Sequence, residues 1–361
     1  MKNPNKAKFK WYHYLVLTIL IIFLLIACFL SYLSINEYKP DAIVDAETLE
    51  TYDLPLISND EIRLVSFNTG YAGLGEESDF ILDGGKGAGA EDIETINKNM
   101  RGIEAILKKT NADIYMLQEI DQKSNRSFNI NQIESYADIL GKYNWYYAPN
   151  FRCDFVPYPF QAMIKSIDSG IITYTSFKTT EAKRIAMPNP FSWPVRTANL
   201  KRCLLLTRMP IANSDQELVI INFHLEAYDD GEGKIAQTKL LLETIANEYA
   251  KGNYVIAGGD FNQIFPEVET YVKETSKWVP GNLDPLPAEL IGWSYVYDDQ
   301  TPTCRLLNQP HVPSDPLTQY YVIDGFIVSP NIEVQKVKTL DENFVYSDHN
   351  PVVLDFKLRS E

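Results

Sequence analysis

Residues 255–262 read Val-Ile-Ala-Gly-Gly-Asp-Phe-Asn, a short apolar run followed by two glycines and two polar side chains. The glycines let the backbone turn closely, and Asp260 and Asn262 project to the same side of an extended segment. Open α/β proteins bind their ligands at the carboxyl ends of strands, where such polar residues collect. The stretch therefore predicts either one edge of a ligand site or, as the simpler alternative, an ordinary turn.

Five further polar clusters lie next to apolar runs along the chain. They are Asn68 after Leu64–Phe67, Glu119 after Asp113–Gln118, His224 after Val219–Phe223, Asp324 within Tyr321–Val328, and Asp348 with His349 before Val352–Phe356. Taken singly, each has a structural explanation, such as a turn asparagine or a core histidine. Six of them at strand ends favour a single site.

Asp324 is the least ordinary of these residues, because it lies in an apolar run that is expected to be buried. A buried carboxylate is costly unless it is paired or hydrogen-bonded. His349 is the chemically sensible partner, and we predict that the two side chains meet although 25 residues separate them.

Short apolar runs alternate with helical patterns from residue 61 onward. Strands are expected at Ile62–Phe67, Asp113–Leu117, Gly170–Tyr174, Leu204–Thr207, Leu218–Phe223, Tyr254–Ala257, Tyr321–Val328 and Val352–Phe356. Helical spacing of apolar residues predicts helices at Asp92–Lys109, Gln132–Leu140 and Lys234–Ala250. This mixture predicts two packed sheets with helices outside, an α/β sandwich.

The N-terminus carries a different signal. Leu15–Leu33 is a run of 19 residues without a charge, preceded by four lysines, and it is long enough for the ~30 Å of a bilayer core. We expect a basic cytoplasmic segment (1–14), a transmembrane signal anchor (15–33), a spacer (34–60) and a folded domain (61–361). The positive-inside rule places that domain outside the cytoplasm, on a single-pass membrane protein. A lipoprotein processed at Cys28 and a cleaved signal peptide remain alternatives.

Charge and cysteine content narrow the function classes. Residues 1–40 hold five lysines and one acid, which leaves 28 basic and 47 acidic side chains, a net charge of −19, in residues 41–361. Such a domain lacks the basic stripe of a protein that grips nucleic acid through many phosphates, although a bound metal can attract phosphate by itself. The four cysteines include no C-x-x-C pair, which argues against a zinc ribbon.

The six clusters resemble the endonuclease/exonuclease/phosphatase superfamily, which includes deoxyribonucleases, neutral sphingomyelinases, apurinic-site endonucleases and inositol-polyphosphate 5-phosphatases. The matching pieces are S-F-N at Asn68, L-Q-E at Glu119, N-F-H-L at His224, G-G-D-F-N at Asp260 and Asn262, I-D-G at Asp324, and S-D-H-N-P at Asp348 and His349. The resemblance implies a four-layer α/β sandwich, two mixed β-sheets flanked by helices. The N-F-H-L piece resembles the corresponding motif of the deoxyribonuclease and sphingomyelinase branch. The chain as a whole resembles a membrane-anchored, bacterial-type member of that branch.

The resemblance also implies a chemistry: hydrolysis of phosphoesters by in-line attack of an activated water. It assigns catalytic roles to His224, Asp260, Asn262, Asp324 and His349. It assigns Mg²⁺ or Mn²⁺ to Glu119, Asp348 and Asn68, whose oxygens suit a hard cation.

The substrate stays open at this point. A phosphodiester is favoured, as a lipid headgroup, a small phosphodiester or nucleic acid. A surface nuclease acting on DNA or RNA and a phosphomonoesterase are alternatives, and an inactive binding module on the same fold is the different-class alternative. No protein partner is evident. Arg126, Arg202 and Arg305 lie near the motifs and either clamp a phosphate or pair with acids.

Overall fold

The structure, a computed structural model, describes residues 10–58, 61–157, 164–229, 231–268, 278–313, 315 and 318–359. Within these residues the α-helices are α1 (Trp11–Ile35), α2 (Ile93–Thr110), α3 (Gln132–Leu140) and α4 (Glu232–Tyr249). The strands are β1 (Ile43–Asp45), β2 (Glu47–Leu49), β3 (Ile62–Asn68), β4 (Ile114–Asp121), β5 (Asn144–Cys153), β6 (Ile167–Thr175), β7 (Glu181–Ala186), β8 (Cys203–Pro210), β9 (Glu217–His224), β10 (Tyr254–Asp260), β11 (Gln263–Ile264), β12 (Gly281–Asn282), β13 (Ser294–Val296), β14 (Cys304–Arg305), β15 (Tyr320–Tyr321), β16 (Asp324–Val328), β17 (Ile332–Thr339) and β18 (Val352–Leu358).

Two large sheets form the centre of the described fold. Sheet A has the strand order β1-β7-β8-β9-β10-β16-β13, and sheet B has the order β17-β18-β3-β4-β6-β5-β2. One neighbouring pair in each sheet is parallel, β9 with β10 and β3 with β4, and the remaining pairs are antiparallel. Both sheets are therefore mixed, as predicted.

The hydrophobic clusters show how the layers stack. Leu64 and Leu354 of sheet B pack against Ile256 and Phe326 of sheet A in a core between the sheets. The outer face of sheet B is covered by α2 and α3, and the outer face of sheet A is covered by α4. The order α2/α3, sheet B, sheet A, α4 is the predicted four-layer sandwich.

Side-chain alternation along the strands decides which residues point between the sheets. In β3, Ile62 and Leu64 face the inter-sheet core, whereas Val65 and Phe67 contact the helices. Asn68, four residues beyond Leu64, therefore lies on the inner face where the strand ends. The same two-residue period places four more polar residues on inner faces: Gln118, His224, Asp260 and Asp324.

Some predicted elements differ from the structure. The expected strand Tyr321–Val328 is divided into β15 and β16, so Asp324 is the first residue of β16 and not an interior strand residue. The sequence analysis missed β5, β7 and β17. In β7 and β17 charged side chains alternate with apolar ones, and without a continuous apolar run such strands leave a weak signal.

The expected spacer also turns out to be part of the fold. Within residues 34–58, β1 pairs with β7 at an edge of sheet A, and β2 pairs with β5 at an edge of sheet B. Prolines and acids suggested a linker, but two strands of three residues are too short to produce a recognisable pattern. The segment after α1 is thus joined to both sheets.

The last turns of α1 are fastened to the domain. Trp193 Nε1 donates a hydrogen bond to Ser34 Oγ (3.0 Å), and Tyr32 Oη donates to Asp154 Oδ2 (3.1 Å). Just beyond the helix, the nearly buried Glu37 forms an ion pair with Lys201 (3.2 Å). The helix has 25 residues and is long and apolar enough to cross a bilayer.

Asn222 of β9 connects the two sheets through the core. Its Nδ2 donates to the carbonyl oxygens of Leu117 (3.2 Å) and Ile172 (2.8 Å) in sheet B. Its Oδ1 accepts a hydrogen bond from Gln118 Nε2 (2.8 Å). Removing the Asn222 side chain therefore takes from Gln118 Nε2 the shortest of its three hydrogen bonds; the other two go to Ser66 Oγ (3.3 Å) and the carbonyl oxygen of Met116 (3.2 Å).

We predict that Asn222→Ala lowers the free energy of unfolding by about 2–3 kcal/mol, because the Gln118 amide loses a buried acceptor. Urea unfolding of the detergent-solubilised full chain, followed by tryptophan fluorescence, measures the change. The matched control is Asn247→Ala on the exposed face of α4, where we expect less than about 0.5 kcal/mol. Equal losses in the two variants would contradict the proposed role of the inter-sheet link.

Candidate active site

The polar inner-face residues converge at one end of the sandwich. Asn68, His224 and Asp260 each end a strand, and Asp324 begins the antiparallel strand β16 at the same edge. His349 joins them from the segment just before β18. The structure therefore brings the expected residues to one place.

Asp260 and Asp324 are paired directly across β10 and β16, and both are almost fully buried (1% exposed). Two opposed carboxylates repel each other unless a cation or a proton separates them. His349 supplies the cation: its Nδ1 lies 2.8 Å from Asp324 Oδ2, and its Nε2 lies 3.7 Å from Asp260 Oδ2. The hydrogen bond between Asp324 and His349 is the pairing that the sequence analysis expects.

The protonation of this group follows from its surroundings. Burial raises the pKa of Asp260 to about 7, and the negative charge of Asp324 adds to the effect. Burial opposes the charged form of His349, but the charge of Asp324 outweighs it and raises the pKa of His349 well above the usual value. His349 is thus an imidazolium at neutral pH, whereas Asp260 can exchange a proton there.

His224 stands beside this group as a neutral imidazole. Its Nε2 lies 3.3 Å from Asp260 Oδ2, and its Nδ1 lies 4.0 Å from Glu119 Oε1. Burial, together with the positive charges of Arg202 and His349, lowers the pKa of His224 well below its usual value. A neutral ring has one N–H, so His224 can donate one hydrogen bond and accept another.

Asn68 points its amide nitrogen, a donor, at the carboxylates. Nδ2 donates to Asp260 Oδ2 (3.1 Å) and to Glu119 Oε1 (3.3 Å). Its Oδ1 accepts from the backbone N–H of Gly70 (3.0 Å). This geometry makes Asn68 a residue that positions Asp260 and Glu119. Its expected role as a metal ligand stays a prediction, since Oδ1 retains a second lone pair.

Asn262 is tied into the same network. It has a left-handed backbone (φ 50°), its N–H donates to Asp260 Oδ1 (2.8 Å), and its Nδ2 donates to the carbonyl oxygen of Leu225 (2.9 Å). The turn after β10 thus holds one oxygen of Asp260. The second amide N–H of Asn262 is the one that a bound phosphate oxygen would use.

Glu119 reaches the site because β4 contains a bulge. The register with β6 shifts between Leu117 and Ile120, and Glu119 within the shift has a φ of 55°. Neighbouring strand residues normally point to opposite faces, but a bulge re-aims one side chain. Glu119 therefore joins the inner-face residue Gln118 on the side of the cavity, with its side chain 25% exposed.

Asp348 is the second carboxylate of the expected metal pair. Burial raises the pKa of Asp348 to about 7, and the negative charge of Glu119 contributes further. Within the described part of the chain, neither carboxylate forms a salt bridge with a lysine or an arginine. Two such oxygen donors beside one cavity fit a hard divalent cation.

A second carboxylate cluster fits a metal less well. Ligand atoms of Asp260, Asp324 and His349 all lie within 4.8 Å of one another. However, Nδ1 of His349 already donates to Asp324, and the raised pKa of His349 keeps its ring protonated. A protonated imidazole cannot ligate a metal. In this cluster the positive charge between the carboxylates is that of the His349 ring itself.

A cavity of about 730 Å³ opens above these residues. The three arginines that the sequence left undecided all line it. Arg126 pairs with Asp121 (2.9 Å) and lies 3.7 Å over the ring of Tyr71. Arg305 donates to the carbonyl oxygens of Gly75 (2.7 Å) and Ser78 (3.1 Å). Both arginines are thus largely used within the protein.

Arg202 makes fewer hydrogen bonds than Arg126 and Arg305. Its Nε lies 3.6 Å from Glu226 Oε2 and has no hydrogen-bond partner among the described residues. Its Nη1 donates weakly to the carbonyl oxygen of His224 (3.4 Å). A buried guanidinium with an unused donor beside the site is a candidate phosphate contact. The position of Arg202 just before β8 does not by itself predict this role from the sequence.

Comparisons with known proteins agree with this geometry. A model of the Endonuclease/Exonuclease/phosphatase family matches residues 82–349. No curated protein sequence matches the chain.

Three solved structures are similar in fold. An endonuclease/exonuclease/phosphatase from Beutenbergia cavernae DSM 12333 has 14% identity and a TM-score of 0.55, over 83% of this chain and 72% of that one. The human Nocturnin catalytic domain with bound sulfate has 17% identity and a TM-score of 0.51, over 85% and 96%. ANGEL2, a 2',3'-cyclic phosphatase in complex with adenosine-2',3'-vanadate, has 14% identity and a TM-score of 0.55, over 86% and 100%. The family model matches more than half of the chain, residues 82–349, and this chain therefore belongs to the endonuclease/exonuclease/phosphatase family.

Proposed function

We propose that the chain is a divalent-metal-dependent phosphodiesterase that works at the outer surface of a membrane. Membership of the family makes it a hydrolase of phosphoester bonds. One observation supports the finer proposal most: Asp260 and His349, which is paired with Asp324 behind it, line the same cavity as the carboxylates of Glu119 and Asp348. A proton acceptor, a fixed positive charge and two oxygen donors for a cation therefore face one substrate.

The proton chemistry follows from the two unlike pKa values. Asp260, with a pKa of about 7, takes the proton from the attacking water. His349, held protonated by Asp324, donates from Nε2 toward the phosphate oxygens, where negative charge grows in the transition state. The oxygen of the water bonds to phosphorus, and the opposite P–O bond breaks.

The remaining residues position the reacting groups. Asn68 holds Asp260 and Glu119 in place. Asn262 and His224 line the cavity, where the second N–H of the Asn262 amide can bind a non-bridging oxygen and the His224 ring, 3.3 Å from Asp260, helps to position that carboxylate. A Mg²⁺ or Mn²⁺ ion held by Glu119 and Asp348 would neutralise phosphate charge and stabilise the leaving oxygen. The site needs no covalent intermediate.

The charges around the cavity favour a diester over a monoester. A terminal phosphate is a dianion and needs more positive charge than a diester, which has one negative charge. Arg126 is paired with Asp121. Among the three arginines of the cavity, the buried donors without a hydrogen-bond partner in the described residues are the Nε groups of Arg202 and Arg305, and Arg202 already faces the carboxylate of Glu226. ANGEL2, which is similar in fold, is described as a 2',3'-cyclic phosphatase, and the Nocturnin structure contains a bound sulfate.

The membrane placement rests on α1. The lysines that precede it are expected to stay in the cytoplasm, and the domain follows the opposite end of the helix. We therefore propose a single-pass protein with its catalytic domain outside the cytoplasm.

The first prediction concerns the metal. EDTA should abolish hydrolysis of bis(4-nitrophenyl) phosphate, and added Mg²⁺ or Mn²⁺ should restore it. Glu119→Gln should lower turnover by about 10²-fold and raise the metal concentration needed for half-maximal activity, because it removes one charged ligand. The control Glu243→Gln, on the exposed face of α4, should match the unaltered protein. Hydrolysis that survives chelation unchanged would contradict the mechanism.

The second prediction concerns the buried pair. Asp324→Asn keeps the shape but removes the charge that protonates His349, so turnover should fall by about 10²–10⁴-fold. His349→Ala should do similar damage, and the double variant should be little worse than either single one, because the residues act as a unit. Asp215→Asn, at an exposed position, serves as the control. Losses that add strictly in the double variant would show that the two residues act separately.

The third prediction concerns topology. Protease added to intact spheroplasts should digest the domain and leave a short N-terminal fragment, because the chain after α1 is expected outside. Fragments are detected with tags at the two ends of the chain. Protection of the domain until the membrane is lysed would overturn the placement.

A further inference from the structure

The cavity above the catalytic residues continues as far as α1. Phe29, Leu30 and Leu33, from the last turns of the helix, form part of its wall. Leu33 is buried (6% exposed), whereas Leu24 and Leu25, two turns earlier, are 61% and 63% exposed. The end of the apolar helix is thus part of the same cavity as the catalytic residues.

The facing wall is also apolar. Phe191 and Val195 come from the segment before β8, and Val156 and Leu82 come from the loops beside it. Val195 is 57% exposed and Leu82 is 37% exposed. A continuous exposed apolar surface costs free energy in water, roughly 25 cal/mol per Å², and typically marks a binding surface. Here that surface leads away from the charged residues that handle the phosphate.

We infer that the substrate is a membrane phospholipid, with its phosphodiester at Asp260 and His349 and its acyl chains along the apolar wall toward α1. This inference rests on the proposed phosphodiesterase activity and names its substrate class. An occupant must combine a phosphate with a long apolar part, since the cavity presents both kinds of surface. A two-chain phospholipid has this composition.

The attachment of α1 sets the direction from which the lipid comes. Hydrogen bonds from Trp193 and Tyr32 and the ring contact of Phe29 with Phe155 (centroids 6.0 Å apart) join the last turns to the domain. The exposed remainder of the helix requires a lipid environment, so the wall at Leu33 lies at the bilayer surface. Trp193 is 53% exposed beside it, a position typical of interfacial aromatic residues.

The charges argue against a polynucleotide in this cavity. Its lining includes five acids, Asp83, Glu119, Glu226, Asp260 and Asp348, against three arginines, Arg126, Arg202 and Arg305. Residues 41–361 as a whole have a net charge of −19. A polynucleotide needs cations along its backbone path. A phospholipid brings one diester charge and leaves the rest of the path to apolar contact.

The reaction on a phospholipid balances simply. The oxygen of water bonds to phosphorus, one ester P–O bond breaks, and the departing oxygen gains the proton. The products are a phosphomonoester and an alcohol, and the acyl chains remain on one of them. Phosphorus-31 NMR detects the change from diester to monoester whichever ester bond breaks.

The test uses the full chain reconstituted in vesicles of phosphatidylcholine and phosphatidylglycerol with Mg²⁺. Lipid hydrolysis is followed by phosphorus-31 NMR, and bis(4-nitrophenyl) phosphate reports the soluble diester activity of the same samples. We expect both substrates to be hydrolysed. Val195→Glu should lower the ratio of lipid to soluble-diester hydrolysis at least about tenfold, because it places a charge on the path of the acyl chains. Val334→Glu, on the edge strand β17 and 36% exposed, should leave both rates unchanged.

The outcomes separate the two proposals. Hydrolysis of the soluble diester with intact lipid would overturn the lipid assignment and leave the phosphodiesterase standing. An unchanged ratio in Val195→Glu would also overturn the assignment, as would added DNA that is degraded faster than either diester. Failure to hydrolyse any of the three would contradict the phosphodiesterase itself.

Discussion

Two buried carboxylates, Asp260 and Asp324, face each other across adjacent strands of sheet A, and the arrangement of the site depends on how their charges are balanced. Without a compensating positive charge, burying such a pair would lower the free energy of unfolding by several kcal/mol. The compensation comes from sheet B: His349 precedes β18, and Asn68 ends β3. The two sheets must therefore keep their relative position for the carboxylates to be tolerated, and the same contact produces an imidazolium beside a carboxylate that titrates near neutral pH.

Much of this site could be predicted because strands alternate with a period of two. Once Leu64 or Ile256 is assigned to the inter-sheet core, the inward position of Asn68 or Asp260 follows by counting. Two features do not follow from counting. Glu119 faces the cavity because of a backbone bulge, and the amide of Asn68 is turned by the N–H of Gly70. Both depend on local backbone geometry, which residue type and spacing do not specify.

Some secondary-structure elements are determined by residues within one segment, and others depend on partners far away in the chain. The helices α2, α3 and α4 were predicted to within two residues because apolar spacing along one segment determines them. The edge strands β1 and β2 were not predicted, and neither was β7, which lies between β1 and β8. Their stability comes from partners far away in the chain, as when Glu47–Leu49 pairs with Trp145–Tyr147. A short edge strand contributes little pattern of its own, so the segment after α1 resembled a linker.

The proposed function accounts for two properties of the domain together: its acidity and the apolar wall of its cavity. An enzyme that captures a dissolved polyanion needs basic surface to attract it. A membrane-held enzyme meets its lipid at a high effective concentration without that attraction. Positive charge is then required only where the reaction creates negative charge, at His349 and at the cation that Glu119 and Asp348 would hold. In the proposed function, the apolar wall that runs from Leu33 to Asp260 and His349 would give the selectivity for lipid that a basic groove gives for nucleic acid.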